Sequence, residues 1–121
     1  MLAPADHSHY PPKSDTHDQF FPSISVSSTG KVGVSWLDRL NDPKNIDYQA
    51  FAAVSMDGGQ SFGTNWQLTK ASSDPRVNGT ENNWMGDYSG NTWMEDTFIA
   101  AWMDSSNGVD MQEVVGGVRL K

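Results

Sequence analysis

Two carboxylates stand at matching places in this chain: Val34-Ser35-Trp36-Leu37-Asp38 is echoed by Ala100-Ala101-Trp102-Met103-Asp104, 66 residues later. Such a pair could act as the acid and base of a hydrolysis, or hold a hard cation such as calcium with help from Asp42, Asp87 and Asp110. Arg39, next to Asp38, could hold an anionic group. The plainer role for both aspartates is local, since a carboxylate at a strand end accepts hydrogen bonds from the amides of the following loop. A second metal reading starts from His7-Ser8-His9, because alternate residues of an extended segment point the same way. Two imidazoles fall short of the three or four ligands that zinc usually takes. No cofactor is expected beyond that possible calcium.

A different chemistry is offered by aromatic rings in polar surroundings. Trp84 lies in the long polar stretch from Ala71 to Asp87, where it could stack on a sugar ring or pack beneath its own loop. Asp87, Tyr88 and Arg76 complete the set of candidate ligand-binding residues. Trp36 and Trp102 sit inside apolar runs and are expected in the core. Trp93 is ambiguous between the two roles.

The composition narrows the partners. A formal net charge of −7 with only eight Lys and Arg argues against a nucleic-acid partner, which needs clustered basic residues. No apolar run approaches the ~20 residues that cross a bilayer, and Met1 to Tyr10 lacks the basic start and apolar centre of a signal peptide. No membrane partner is expected. The absence of cysteine excludes a disulfide scaffold, a thiol nucleophile and a zinc ribbon, and leaves the compartment open. Asn78-Gly79-Thr80 is a glycosylation sequon of a length that often arises by chance. Five Trp, five Phe and three Tyr fit an aromatic-rich all-β domain.

The elements that would position these residues are strands. Residues 1–18, with three His and three Pro, read as an irregular lead-in to a module spanning 19–121. Phe21 to Ser27 and Val32 to Asp38 alternate around the turn Ser28-Thr29-Gly30-Lys31, which makes a β-hairpin. Tyr48 to Ser55 is a third strand and Trp66 to Thr69 a fourth. After the long polar connection the pattern recurs, with strands over Tyr88 to Trp93, Thr97 to Asp104 and Met111 to Leu120. The second unit has no fourth strand. Because strands alternate in direction, Asp38, Arg39, Asp104 and the Ala71 to Asp87 connection should gather at one end of the sheets.

At the opposite end lies Ser55-Met56-Asp57-Gly58-Gly59-Gln60-Ser61-Phe62, a turn in which Asp57 can fold onto the following amides and the two glycines can take positive φ. Its spacing resembles the Asp-box, or BNR repeat, of the sialidase-like β-propellers, with Ser55, Asp57, Gly59 and Phe62 as the structural box residues. Phe21-Pro22-x-Ile24-x-Val26, Trp36-x-Asp38-Arg39 and Gly86-Asp87-Tyr88 extend the resemblance from Phe20 to the end of the chain. It implies two propeller blades, the second incomplete, and a secreted or cell-surface setting. Catalytic members use an arginine cluster, an aspartate acid/base and a tyrosine nucleophile paired with a glutamate. This chain has only Arg39, Arg76 and Arg119, and lacks their Arg-Ile-Pro signature. The expectation is therefore a noncatalytic carbohydrate-binding or assembly module. The alternatives are part of an exo-sialidase-like glycoside hydrolase completed by further blades, and a structural fragment without a ligand. Two blades cannot close a ring, so self-association is expected, as a homotrimer forming one six-blade propeller.

Overall fold

A computed structural model describes residues 16–77 and 85–120. The expectations placed on residues 1–15, including His7 and His9, and on Trp84 and Asn78 lie outside the described residues. The protein is all-β, with seven strands: β1 (Gln19–Val26), β2 (Val32–Asp38), β3 (Gln49–Ser55), β4 (Trp66–Gln67), β5 (Gly90–Met94), β6 (Thr97–Asp104) and β7 (Gln112–Arg119). They form two antiparallel sheets in chain order, β1-β2-β3-β4 and β5-β6-β7.

The hairpins follow the alternation in the sequence, with one irregularity. β1 pairs with β2 through Phe20↔Leu37 and then Ser23↔Ser35, so one extra residue is accommodated at Phe21-Pro22. Pro22 has no N–H to give the ladder, and Phe21 takes φ 52°, the conformation of a bulge. The bulge brings Phe20 and Phe21 together with Tyr48, edge to face, at centroid distances of 5.6 and 5.9 Å. β4 is shorter than the pattern of Trp66 to Thr69 suggests. Leu68 still donates its amide to Ala50 at 2.7 Å, so the chain keeps its course beyond the ladder.

The turn after β3 is built around Ser55 and Asp57. Ser55 Oγ donates to Asp57 Oδ1 (2.7 Å) and accepts from the amide of Gly59 (2.8 Å). Asp57 in turn accepts from the Ser61 amide (2.8 Å) and from its hydroxyl (2.5 Å). Gly58 and Gly59, at φ 73° and 93°, make the reversal that a residue with a Cβ would resist. The three bonds to its oxygens hold the Asp57 carboxyl well below the usual carboxylate range, the Ser55 hydroxyl contributing most. Phe62 then buries its ring beside Val32, Val34, Trp36, Phe51 and Ala53.

The two sheets stack through one face of each. Leu37, Ala50, Ala52 and Val54 of the first meet Phe98, Ala100 and Trp102 of the second, with Leu68 between. Glycine makes the approach possible at Gly33, where a Cβ would fall 2.1 Å from the Phe98 ring, and within the second sheet Gly116 leaves room for Trp102, whose ring a Cβ there would meet at 2.6 Å. Lys31 and Asp96 form an ion pair that joins the hairpin turns of the two sheets.

The repeat is stacked in one sense. Trp36 and Trp102 hold equivalent positions, yet Trp102 packs between the sheets while Trp36 lies on the far face of the first, stacked on Phe51 at 6.0 Å. Both tryptophans are buried, as core residues should be, but in different clusters. The second sheet thus offers to the first the same face that the first turns away from it.

Candidate functional site

Strand direction sends residues 39–48, 68–77, 85–89 and 105–111 to one end and the Ser55–Phe62 turn to the other. The end that collects the three long segments carries Asp38, Arg39, Arg76, Asp87, Tyr88 and Asp104, as strand counting anticipates.

Both repeated aspartates are buried and engaged at each oxygen. Asp38 Oδ2 accepts from Trp36 Nε1 (3.0 Å), and Oδ1 from the Leu40 amide (2.8 Å). Asp104 repeats this arrangement with Trp102 Nε1 (3.1 Å) and the Ser106 amide (2.8 Å), adding the Ser106 hydroxyl at 2.5 Å. The Trp-x-Asp spacing explains the geometry: residues two apart in a strand share a face, so the indole N–H reaches the carboxylate. Both aspartates thereby lock the turn that follows their strand. Among the described residues no group of three or more His, Cys, Asp or Glu is placed to hold a metal ion.

The arginines are also partnered. Arg39 Nη1 donates to Asp18 Oδ2 (2.7 Å), and its guanidinium lies 4.9 Å from the centroid of Phe20. Arg76 grips Asp74 with two parallel bonds, Nε to Oδ1 (2.8 Å) and Nη2 to Oδ2 (2.7 Å). That contact lowers the Asp74 pKa. Asp42 accepts the amides of Lys44, Ile46 and Asp47 and is held in its charged form by them. Asp47 is pushed the other way, by burial and then by the charges of Asp74 and Asp42. Asp110 accepts from Asn107 Nδ2 (2.5 Å) within its own turn.

No family model, curated protein or solved structure matches this chain.

Asp87 and Tyr88 face water, as does Arg76. Tyr88 is 89% exposed, the most open of the large hydrophobic side chains described. Its turn is nonetheless anchored on both sides. Gly86 (φ 88°) sits where a Cβ would come within 2.4 Å of Met103 Cγ, and Ser89 Oγ donates to the Phe21 carbonyl at 3.1 Å. The phenol is therefore held out by a fixed support.

Sequence reasoning missed what fastens this end. Tyr48 and Ser73 exchange backbone bonds of 3.0 and 2.9 Å, which ties the long connection to the first sheet. Ser73 Oγ accepts the Ser105 amide (3.0 Å), and Ser105 Oγ donates to the Asp74 carbonyl (2.6 Å), which ties it to the second. The Tyr48 hydroxyl donates to the Met103 carbonyl at 2.8 Å. The only trace in the sequence is a Ser-Ser dipeptide in each polar run, Ser72-Ser73 and Ser105-Ser106, a signal without spacing.

Proposed function

We propose that this chain is a noncatalytic module of the sialidase-like propeller type, which binds carbohydrate at the end formed by its long segments and works as part of an assembly. The observation that carries the reading is the exposed Tyr88 ring on its anchored turn, at the end where the carboxylates and guanidiniums are already engaged by partners of the protein itself. A fixed aromatic face recognises the apolar side of a sugar ring, and ordering costs little because the support is in place. A hydrolase would instead need an acid and a base free to exchange protons with a substrate. Asp38 and Asp104 spend both oxygens on indole and amide donors. The same-sense stacking of the repeat supports the propeller reading, since successive blades stack in that manner.

A ring of three copies is the closed form of such an assembly. It would seat the outward face of the second sheet on the far face of the first sheet of the next copy, where Val34, Trp36, Phe51 and Ala53 are already only 1 to 9% exposed in the single chain.

A glycan array, followed by titration of the strongest hit into the parent and into Tyr88→Ala, tests the binding role. Loss of binding at unchanged thermal stability is expected. Equal affinity of the two proteins removes Tyr88 from the site, and an array without hits removes the carbohydrate reading.

A further inference from the structure

We propose that β7 is a self-complementary edge that joins two copies of this chain into a continuous six-stranded antiparallel sheet. The second sheet ends at β7: among the described residues β6 pairs with one side of it and no strand pairs with the other. The first sheet covers the equivalent edge of β3 with β4, through Phe51↔Gln67 and Ala52↔Trp66. An open strand edge offers unpaired N–H and C=O groups to another chain.

The sequence of β7, Gln112-Glu113-Val114-Val115-Gly116-Gly117-Val118-Arg119, selects the second copy as the occupant. When two β7 strands run antiparallel with Gly116 opposite Gly116, Glu113 of each copy stands opposite Arg119 of the other. Val114 then faces Val118, and Val115 faces Gly117. The outer pair is complementary in charge and the Val115–Gly117 pair in bulk, while Val114 and Val118 match as apolar partners. Glu113, Val115, Gly117 and Arg119 alternate with Val114, Gly116 and Val118, so the two ion pairs and the exposed Val115 share one face. Glu113 and Arg119 are exposed, and among the described residues neither belongs to an ion pair. Val115 is 64% exposed, and its isopropyl group would cover the bare backbone of Gly117 across the seam. Shifting the register by two residues separates the charges and sets Val115 against itself or against Arg119.

The inference does not depend on what the Tyr88 end binds. One strand pair makes a small interface, at the weak and transient end of the range, so the dimer should dissociate on dilution. Cross-strand charge pairs act in both directions, and like charges placed opposite one another destabilise.

Sedimentation velocity over a concentration series of the intact protein is the test. The parent should move reversibly from one chain to two as concentration rises. Arg119→Glu, which sets glutamate against glutamate at two places, should raise the dimer dissociation constant by about tenfold or more. Glu113→Arg combined with Arg119→Glu reverses both charges and should restore the dimer, which also controls for folding. A parent that stays monomeric or forms trimers overturns the proposal. So does an Arg119→Glu variant that dimerises like the parent, or a charge-reversed pair that is folded yet monomeric.

Discussion

The ring of Phe98 in the second sheet fills the space that a side chain at position 33 of the first would need. A Cβ there would lie 2.1 Å from Phe98 Cε2. Phe98 is fully buried and packs on Ala52 and Val54, so small residues on one sheet face and one large ring on the other set the distance between the sheets. Gly33→Ala should destabilise the fold by about 1–3 kcal/mol through overpacking. Phe98→Ala should cost about 3–5 kcal/mol through the cavity it leaves. Because the two residues touch, the double variant should fall short of the sum. Denaturant melts of the three proteins measure this. A neutral Gly33→Ala would mean that the sheets do not meet there.

This contact shows what the sequence could and could not disclose. The alternation of Val32 to Asp38 and the recurrence at Ala100 to Asp104 are local properties, so the strands and their division into two units were legible. Gly33 reads in sequence only as a weak point in a strand, and its partner is 65 residues away. The faces of Trp36 and Trp102 could not be told apart from identical spacing, since that depends on which side of each sheet meets the other. The grouping of the long segments at one end was legible, because strand direction alone gathers them. The pairing of Ser73 with Ser105 was not, because hydroxyl-to-amide bonds carry no period.

Asp38 and Asp104 should behave as equivalent locks. Asp38→Ala and Asp104→Ala each leave an indole N–H and a loop amide without their acceptor, at a cost of about 1–3 kcal/mol for each buried donor left unpaired. Chemical denaturation of the two variants should show similar losses. If Trp36→Phe is made first, Asp38→Ala should cost less, since one of its donors is already gone. A variant that kept full stability would restore these carboxylates as candidates for chemistry.

Asp57 makes the fold sensitive to acid in a defined window. Its folded pKa lies below the unfolded value of 3.8, mainly because the Ser55 hydroxyl, then the Ser61 hydroxyl and amide, favour the anion. A depressed pKa contributes stability that is present above pH 3.8 and fades as the pH falls through the folded value. Asp57→Asn should therefore melt below the parent at neutral pH, and the gap should narrow as the pH drops beneath 3.8. Thermal melts across this range are the measurement. A gap that stays constant in acid would show that the carboxylate is not held by those hydroxyls.

Tyr48 gives the matching prediction in base. It is 1% exposed, and burial, reinforced by the charge of Asp104, pushes its pKa up to about 12. Here the folded protein favours the neutral phenol, which donates to the Met103 carbonyl. The resulting stability is fully present below the unfolded value of 10.0 and is lost as the pH rises toward 12. Tyr48→Phe leaves that carbonyl without its donor and should cost about 1–3 kcal/mol near neutrality. It also removes the titrating group, so the variant should lose less stability than the parent between pH 10 and 12. Denaturant melts of both proteins from neutrality into this range decide the matter. Because Tyr48 also binds Ser73 through its backbone, which Phe preserves, the long connection should stay docked and any ligand affinity of the Tyr88 end should survive. Parallel loss of stability by the two proteins in base would mean that the phenol ionises as freely folded as unfolded, and would place Tyr48 outside the seam between the sheets.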